Sequence, residues 1–460
     1  MNRIIPLILA VALFMEMMDS TVIATSLPAI AADIGTEPVA LKLALTSYLV
    51  ALAIFIPLSG WLADRFGARN VFRLAIAVFM VGSIASAFSN SLATFVISRF
   101  VQGMGGSMMT PVGRLLLLRS IPRRELVAAM AWLTVPALMG PMLGPPLGGF
   151  ITTYFSWQWI FFINIPIGLL GIILASKYLP HLNIRNDTPL DFKGFVLAGL
   201  SFSGIVFGLS VVSLPALPPA FGIITLVVGL GAGFAYLGHA KRVEKPLLDL
   251  KIFRHKAYRT SIVGGSIFRL GIGATPFLIP LMLQIGYGLT PLQSGSITFA
   301  SAAGAILMKF VASRVYKKFG FKNILAGGVI ISSATIAISG FISPLTQIGL
   351  LIFVLFFGGF NRAMFFTGAN AFGYSDISDD EAGQATAVSS VTQQISIAIA
   401  VALAGGLLEI SSFVRGAELG MADFRFALVS VGLLAMLAAI PFSRLSANAG
   451  SNVSGHQEKI

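Results

Sequence analysis

Apolar residues run along this chain in long blocks broken by short polar stretches. The blocks lack the period-two alternation of a barrel strand. A spanning helix needs about 20 predominantly apolar residues. On that rule the sequence predicts fourteen spans, centred near residues 15, 52, 81, 104, 138, 168, 202, 228, 271, 303, 332, 356, 396 and 434. An even number places both termini on one side. The expected architecture is an all-α polytopic membrane protein, with two six-helix bundles around a central cavity and two additional central helices. The expected divisions are 1–180 for the first bundle, 181–258 for the two linker helices and a cytoplasmic loop, 259–445 for the second bundle, and 446–460 for a disordered tail.

Loop charge orients these spans. One set of loops carries Arg65, Arg69 and Arg73, then Arg119, Arg123 and Arg124, then Lys177, Arg185 and Lys193. It continues through Lys241 to Arg259 and Arg314 to Lys322, whereas the opposite loops offer little beyond Lys42, Arg415 and Arg425. The positive-inside rule makes the first set and both termini cytoplasmic. The acidic stretch 375–381 falls on that side too, but acids count little in the rule. Arg3 followed by an apolar run resembles a signal peptide, yet Glu16 and Asp19 interrupt the run and further spans follow, so an uncleaved first helix is expected.

Composition narrows the chemistry. Of 460 residues, 56% are hydrophobic and 11% charged, far from a soluble domain of this size. The net charge of +13 sits mainly in short loops, where it sets topology and does not indicate a nucleic-acid partner. There is no cysteine, which excludes disulfides and thiolate chemistry. His181, His239, His255 and His456 lack metal-ligand spacing, so no metal is expected. No G-x-x-x-x-G-K-[ST] is present, which argues against direct ATP drive. With no cluster of His, Asp or Ser near an interface and no loop long enough for a sensor domain, neither an enzyme nor a cofactor is expected.

An internal repeat appears at an offset of 253 residues, where GWLADRFGARN (60–70) aligns with SRVYKKFGFKN (313–323). A duplicated transporter has this form. The same offset pairs Glu16 with Arg269, giving the first helices of the two halves opposite charges at corresponding depth.

Glu16 and Asp19 stand three residues apart in the first span, on one helical face. Ionisable residues inside a membrane are costly and mark function by default. Arg99 in the fourth span needs a partner, so a cluster of Arg99 with Glu16 and Asp19 is expected. Gly60, Asp64, Arg65, Gly67 and Arg69 form a tight cytoplasmic turn with a latch, in which Gly60 permits close approach and Gly67 turns the chain. Gly140, Gly144, Pro145, Gly148 and Gly149 fill the fifth span, where prolines invite bending and glycines admit a neighbouring backbone. That combination suits a seal between alternating states. Trp157 and Trp159 read as an interfacial belt, and the pair of helices near 191–240 as a lipid-facing spacer.

The second half carries Arg269, Lys309 and Arg362 within its spans, and no acid is expected there. Lys309 lies near a loop and can snorkel. With Gln102 and Asn361, Arg269 and Arg362 are the expected cavity residues. Arginine on one wall and acids on the other suit anionic, zwitterionic or neutral amphiphiles. Phe360, Phe365 and Phe366 flank Arg362, and Met15, Met17 and Met18 flank the acids; most such residues are expected as lipid or packing surface, and some as the lining of a greasy, adaptable pocket.

These motifs carry a resemblance. The chain resembles a major facilitator superfamily transporter, and more closely the fourteen-helix drug:proton antiporters with their multidrug resistance exporters. Asp19-x-Thr21-Val22 to Leu27-Pro28 is similar to that family's first-helix signature. Gly60 to Arg69 resembles the superfamily's loop signature, Arg99-x-x-Gln102-Gly103 its proton-linked fourth helix, and Gly140 to Gly149 its antiporter helix. Departures are Ala24 for an asparagine, Ala68 for a basic residue and Ala131 for a glycine. The resemblance implies proton-coupled efflux of small amphipathic molecules from a bacterial cytoplasmic membrane, by a monomer whose partners are its substrate, protons and lipids. The alternative is proton-independent facilitated transport of an amphiphile or lipid by the same fold. Either acid could carry the proton.

Overall fold

The computed structural model describes residues 4–120, 126–180, 189–212, 218–378, 381–446 and 448–450. Arg123, Arg124, Arg185, His181, His456 and the tail beyond residue 450 lie outside the described residues. Among those described, every regular element is helical.

Among the described residues, twelve segments pass on length and mean hydropathy as membrane-crossing: α1 (Ile4–Thr25), α2 (Pro38–Phe55), α3 (Ala68–Ala87), α6 (Trp159–Tyr178), α7 (Phe192–Val211), α8 (Pro219–Ala240), α9 (Lys256–Gly286), α10 (Pro291–Ala312), α11 (Arg314–Ser339), α12 (Gln347–Gly373), α13 (Ala382–Arg415) and α14 (Met421–Ser443). Two more helices, α4 (Leu92–Ser120) and α5 (Leu126–Tyr154), run 29 residues each and stand where the fourth and fifth spans are predicted. At 1.5 Å per residue each is about 43 Å long, enough to cross a hydrocarbon core of about 30 Å. The prolines of α5 do not interrupt it. The protein is a multi-pass membrane protein.

The chain divides into two compact units, Met1–Leu247 with Thr290–Gly295, and Leu248–Leu289 with Ser296–Ile460. In the first, α1 lies against α4, α5 and α6, α3 lies against α4 and α6, and α2 packs on α4. Leu9, Leu13, Phe72, Ile76, Phe79 and Leu116 form its apolar heart. In lipid such contacts hold by close packing, because the surroundings are as apolar as the core. Helices α7 and α8 pair through glycines on both partners: a β carbon at Gly204 would lie 2.7 Å from the Gly229 Cα, and one at Gly222 2.6 Å from the Val212 Cα. α7 docks on α2, while α8 exposes Phe221, Ile224, Val227 and Phe234. Asp191 caps α7 and accepts from the Gly194 amide at 2.9 Å, the Leu247 amide at 3.1 Å and His239 Nε2 at 2.7 Å. Burial pushes the Asp191 carboxyl up, but these three donors outweigh it and hold it below its usual range. In the second unit α9 packs on α12, α13 and α14.

The two copies of the repeat share a local geometry. Gly67 and Gly320 both take positive φ, 85° and 70°, which only glycine adopts freely. Three residues on, Asn70 donates to the Phe66 carbonyl at 3.2 Å and Asn323 to the Phe319 carbonyl at 3.1 Å. The turn is written twice, once in each unit.

Candidate functional site

The first helix is the axis of the site. Its apolar run from Ile4 gives way to Glu16 and Asp19, which are 5% and 0% exposed. Arg99 Nη1 donates to Asp19 Oδ2 at 2.7 Å with both side chains buried. Gln102 Nε2 donates to Asp19 Oδ1 at 2.9 Å, and Asn164 Nδ2 donates to the same oxygen at 2.8 Å. Asp19 therefore accepts from three side chains on two helices, α4 and α6. Arg99 also donates to Gln102 Oε1 at 2.5 Å, and its guanidinium lies 4.4 Å from the centre of the Tyr48 ring. Asn164 is anchored in turn by Ser83, 3.0 Å away, whose hydroxyl donates to the Phe161 carbonyl at 2.9 Å. A buried ion pair is tolerable only when further hydrogen bonds support it. Asp19 is well supplied, while Arg99 donates through Nη1 and leaves its buried Nε without a partner.

Glu16 is held differently. Thr110 Oγ1 donates to Glu16 Oε2 at 2.9 Å. No arginine or lysine forms an ion pair with Glu16 among the described residues. A hydroxyl partner can donate to a carboxylate or accept from a carboxylic acid. The neighbour therefore fits either protonation state of Glu16, whereas Asp19 is committed to its cation.

The α5 motif explains how the acidic helix is seated. Gly140, Gly144 and Gly148 recur every four residues and meet α1 at Met18, Thr21 and Val22. A β carbon at Gly140 would lie 2.8 Å from the Met18 amide nitrogen, and one at Gly144 2.9 Å from Thr21 Cβ. Only glycine lets the two backbones approach this closely. Pro145 contributes its carbonyl, which accepts from Thr25 Oγ1 at 3.4 Å, and Gly149 stands off this seam. One face of α1 is thus locked to α5 while the face with the acids meets α4 and α6.

Several expectations need correction. Gln102, expected on a cavity wall, is fully buried inside the ion cluster because its amide spans Asp19 and Arg99. Gly60 is exposed and a β carbon there meets no described atom within 4 Å, so the expected close approach is not made. In the rest of that motif, Gly67 makes the turn, Arg69 donates to the Ser176 carbonyl, and Asp64 and Arg65 end the short helix Leu58–Phe66. Of the tryptophans, Trp159 is exposed, but Trp157 is buried and donates to Asp33 at 2.9 Å, so they are not a matched belt. The second half does hold acids within its spans, Glu409 and Asp423. Both lie near helix ends, and Asp423 is a terminal clamp: it accepts from Arg415 at 2.5 Å, Ser411 at 2.7 Å and the Gly420 amide at 2.8 Å.

Arg269 is 8% exposed, donates to Gln393 Oε1 at 3.2 Å and lies 4.5 Å from the Phe366 ring centre. Arg362 donates to Ser301 Oγ at 2.9 Å, Asn361 bonds back to the Phe357 carbonyl at 2.9 Å, and Lys309 is exposed.

Four residues of the cluster escaped the sequence reading: Tyr48, Ser83, Thr110 and Asn164. Two left a signal. Thr110 follows Arg99 by eleven residues, about three helical turns, on the face that also carries Gln102 and Gly106. Asn164 is a lone amide in the run Ile-Phe-Phe-Ile-Asn-Ile-Pro.

A family model described as Major Facilitator Superfamily matches residues 9–238 and 261–458. MdtD of Pectobacterium atrosepticum, which carries a provisional multidrug resistance name, is 34% identical over 441 residues, covering 95% of this chain and 94% of that protein. MdtD of Escherichia coli K12, named in the same way, is 33% identical over 455 residues, covering 98% and 96%. Among solved structures, a D-xylose-proton symporter superposes with a TM-score of 0.70 at 16% identity, covering 97% of this chain and 98% of that one. An auto-inhibited peptide transporter of the POT family gives 0.68 at 15% identity, covering 97% and 98%. At such identities these two structures speak for the fold alone. Fold, repeat and near full-length relatives agree, and the chain belongs to the major facilitator superfamily of membrane transporters.

Proposed function

We propose that this transporter exports small amphipathic molecules across a bacterial cytoplasmic membrane in exchange for protons, by alternating access, as a monomer with both termini in the cytoplasm. The observation that carries the reading is the division of labour between two buried acids on α1. Asp19 has Arg99 and two amide donors and serves as a fixed counter-ion. Glu16 has a hydroxyl partner and no paired cation among the described residues, and it takes and gives the proton. A shift of α1 along its glycine seam changes the surroundings of both acids together. The names of the MdtD relatives support drug-like substrates. The cytoplasmic latch at Asp64, Arg65, Gly67 and Arg69 and the seal at Gly140 to Gly149 are the conformational parts of the same proposal.

The test is substrate-stimulated proton release from purified protein, with wild type beside Glu16→Gln and Asp19→Asn. Release by wild type that Glu16→Gln abolishes while binding persists is the expected result. Substrate flux indifferent to a pH gradient would overturn exchange and favour facilitated transport.

A further inference from the structure

Resting on the reading of the chain as an exporter, we propose that Arg269 and Arg362 receive the anionic group of an amphipathic organic anion, so that the second unit recognises the charge of the cargo. Arg269 is more than nine-tenths buried, and the partners of both arginines are neutral: Gln393 at 3.2 Å and Ser301 at 2.9 Å. A guanidinium has five N–H donors, so most of this capacity is uncommitted to these partners. Among the described residues, the acids flanking the helices that carry these arginines and their partners lie far along the chain. Along α13, Glu381 and Glu409 lie twelve and sixteen residues from Gln393, about 18 and 24 Å on the helix axis. Asp376 lies beyond the end of α12, whose last residue, Gly373, is eleven residues and about 16 Å along the axis from Arg362. No ion pair involving either arginine exists among the described residues.

A buried cation without a counter-ion is costly, and the described residues supply none here. An anion that arrives with the cargo does. The guanidinium fork matches a carboxylate in two parallel hydrogen bonds. The surroundings suit the rest of an amphiphile. Phe366 lies one turn beyond Arg362 on α12 and under Arg269, and with Phe365 it packs on Phe268 at ring separations of 5.6 and 4.2 Å. A cationic cargo would meet two like charges in an apolar setting.

The experiment is equilibrium binding to the full-length protein in lipid nanodiscs at fixed pH. The probes are matched carboxylate, amide and ammonium derivatives of naphthalene and of a twelve-carbon chain. The carboxylates are expected to bind at least about tenfold tighter than the amides, and the ammonium compounds weakest, since a bidentate charged pair is worth more than 1.4 kcal/mol. Arg269→Gln should remove the tenfold preference and leave amide binding within about twofold, while Arg269→Lys, which keeps the charge, retains part of it. Size-exclusion profiles and unchanged amide affinity exclude misfolding. Carboxylate affinity no better than that of the amide, or unchanged in Arg269→Gln, overturns the proposal. The two readings fail separately. Carboxylate preference without proton release sinks the exchange mechanism alone, and proton release driven only by ammonium compounds sinks the anion site alone.

Discussion

Arg99 and Arg269 are the same residue in nearly the same setting, and they are treated in opposite ways. Each is buried on a membrane-spanning helix, with its guanidinium 4.4 Å from Tyr48 in one unit and 4.5 Å from Phe366 in the other. Arg99 has a carboxylate at 2.7 Å, and Arg269 has an amide at 3.2 Å. The ring contact contributes about 0.5–2 kcal/mol in either place and does not decide the matter. The counter-ion does. Where the fold supplies it, the pair belongs to the machinery. Where the fold withholds it, the charge waits for something that comes and goes.

The largest expected effect comes from making one substitution at both sites. Arg99→Gln strands Asp19 as a buried anion and should destabilise by about 3–5 kcal/mol, the usual cost of breaking a buried pair. Arg269→Gln removes a buried charge that has no counter-ion among the described residues and should leave stability unchanged or raise it. Thermal unfolding in nanodiscs reads both, and the two shifts should differ in sign. Adding Asp19→Asn to Arg99→Gln should recover most of the loss, because it removes the stranded charge. Equal shifts at the two sites would erase the distinction between them.

A middling effect tests whether the acidic helix must be held from behind. At Gly144 a β carbon would lie 2.9 Å from Thr21 Cβ, with its hydroxyl oxygen nearer still. Gly144→Val should therefore cost about 1–3 kcal/mol by overpacking. It should also lower proton release, since α1 carries Glu16. Gly60→Ala is the control, because nothing described lies within 4 Å of its β carbon. Its stability should stay within about 0.5 kcal/mol of wild type. A transport defect in Gly60→Ala at unchanged stability would mean that the glycine serves a state in which its surroundings are closed.

Much of this was legible before any coordinates. Long apolar blocks locate membrane helices because lipid leaves the backbone few alternatives. A cluster of Arg99 with the two acids of α1 followed from the cost of a lone charge in such a run, but that Asp19 and not Glu16 is the partner did not. The Gly140–Gly144–Gly148 spacing announced a close neighbour, though not which one. What stayed hidden depends on crossings between helices distant in sequence. Gln102 could line a cavity or bind Asp19 equally well on sequence grounds, and only the approach of α1 to α4 chooses. Asn164 looked like part of an interfacial segment until α6 brought it to Asp19. Glu409 and Asp423 were missed because helix ends extend further than an apolar window shows, and a helix cap can bury an acid there.

The smallest effect lies outside the spans, where water is at hand. Asp191 accepts from Gly194, Leu247 and His239, and these donors hold its carboxyl below the usual aspartate value of about 3.9 despite partial burial. A folded-state value lower than the unfolded one stabilises the protein above the unfolded value, and that contribution is lost as pH falls through the folded value. Wild type should therefore lose stability progressively below about pH 4, by under about 1 kcal/mol for this group. Asp191→Asn, which keeps an oxygen for the helix cap, should start slightly less stable and show a shallower acid limb. Glu381 is also held low, chiefly by the Ser378 hydroxyl with His255 and Arg254 assisting, so it titrates in the same direction in both proteins. The difference between the two unfolding curves from pH 3 to 6 isolates Asp191. A loss in Asp191→Asn as large as that of Arg99→Gln would show that partnering alone, not burial in the span, sets the cost of a broken charge, and the contrast between Arg99 and Arg269 would need another cause.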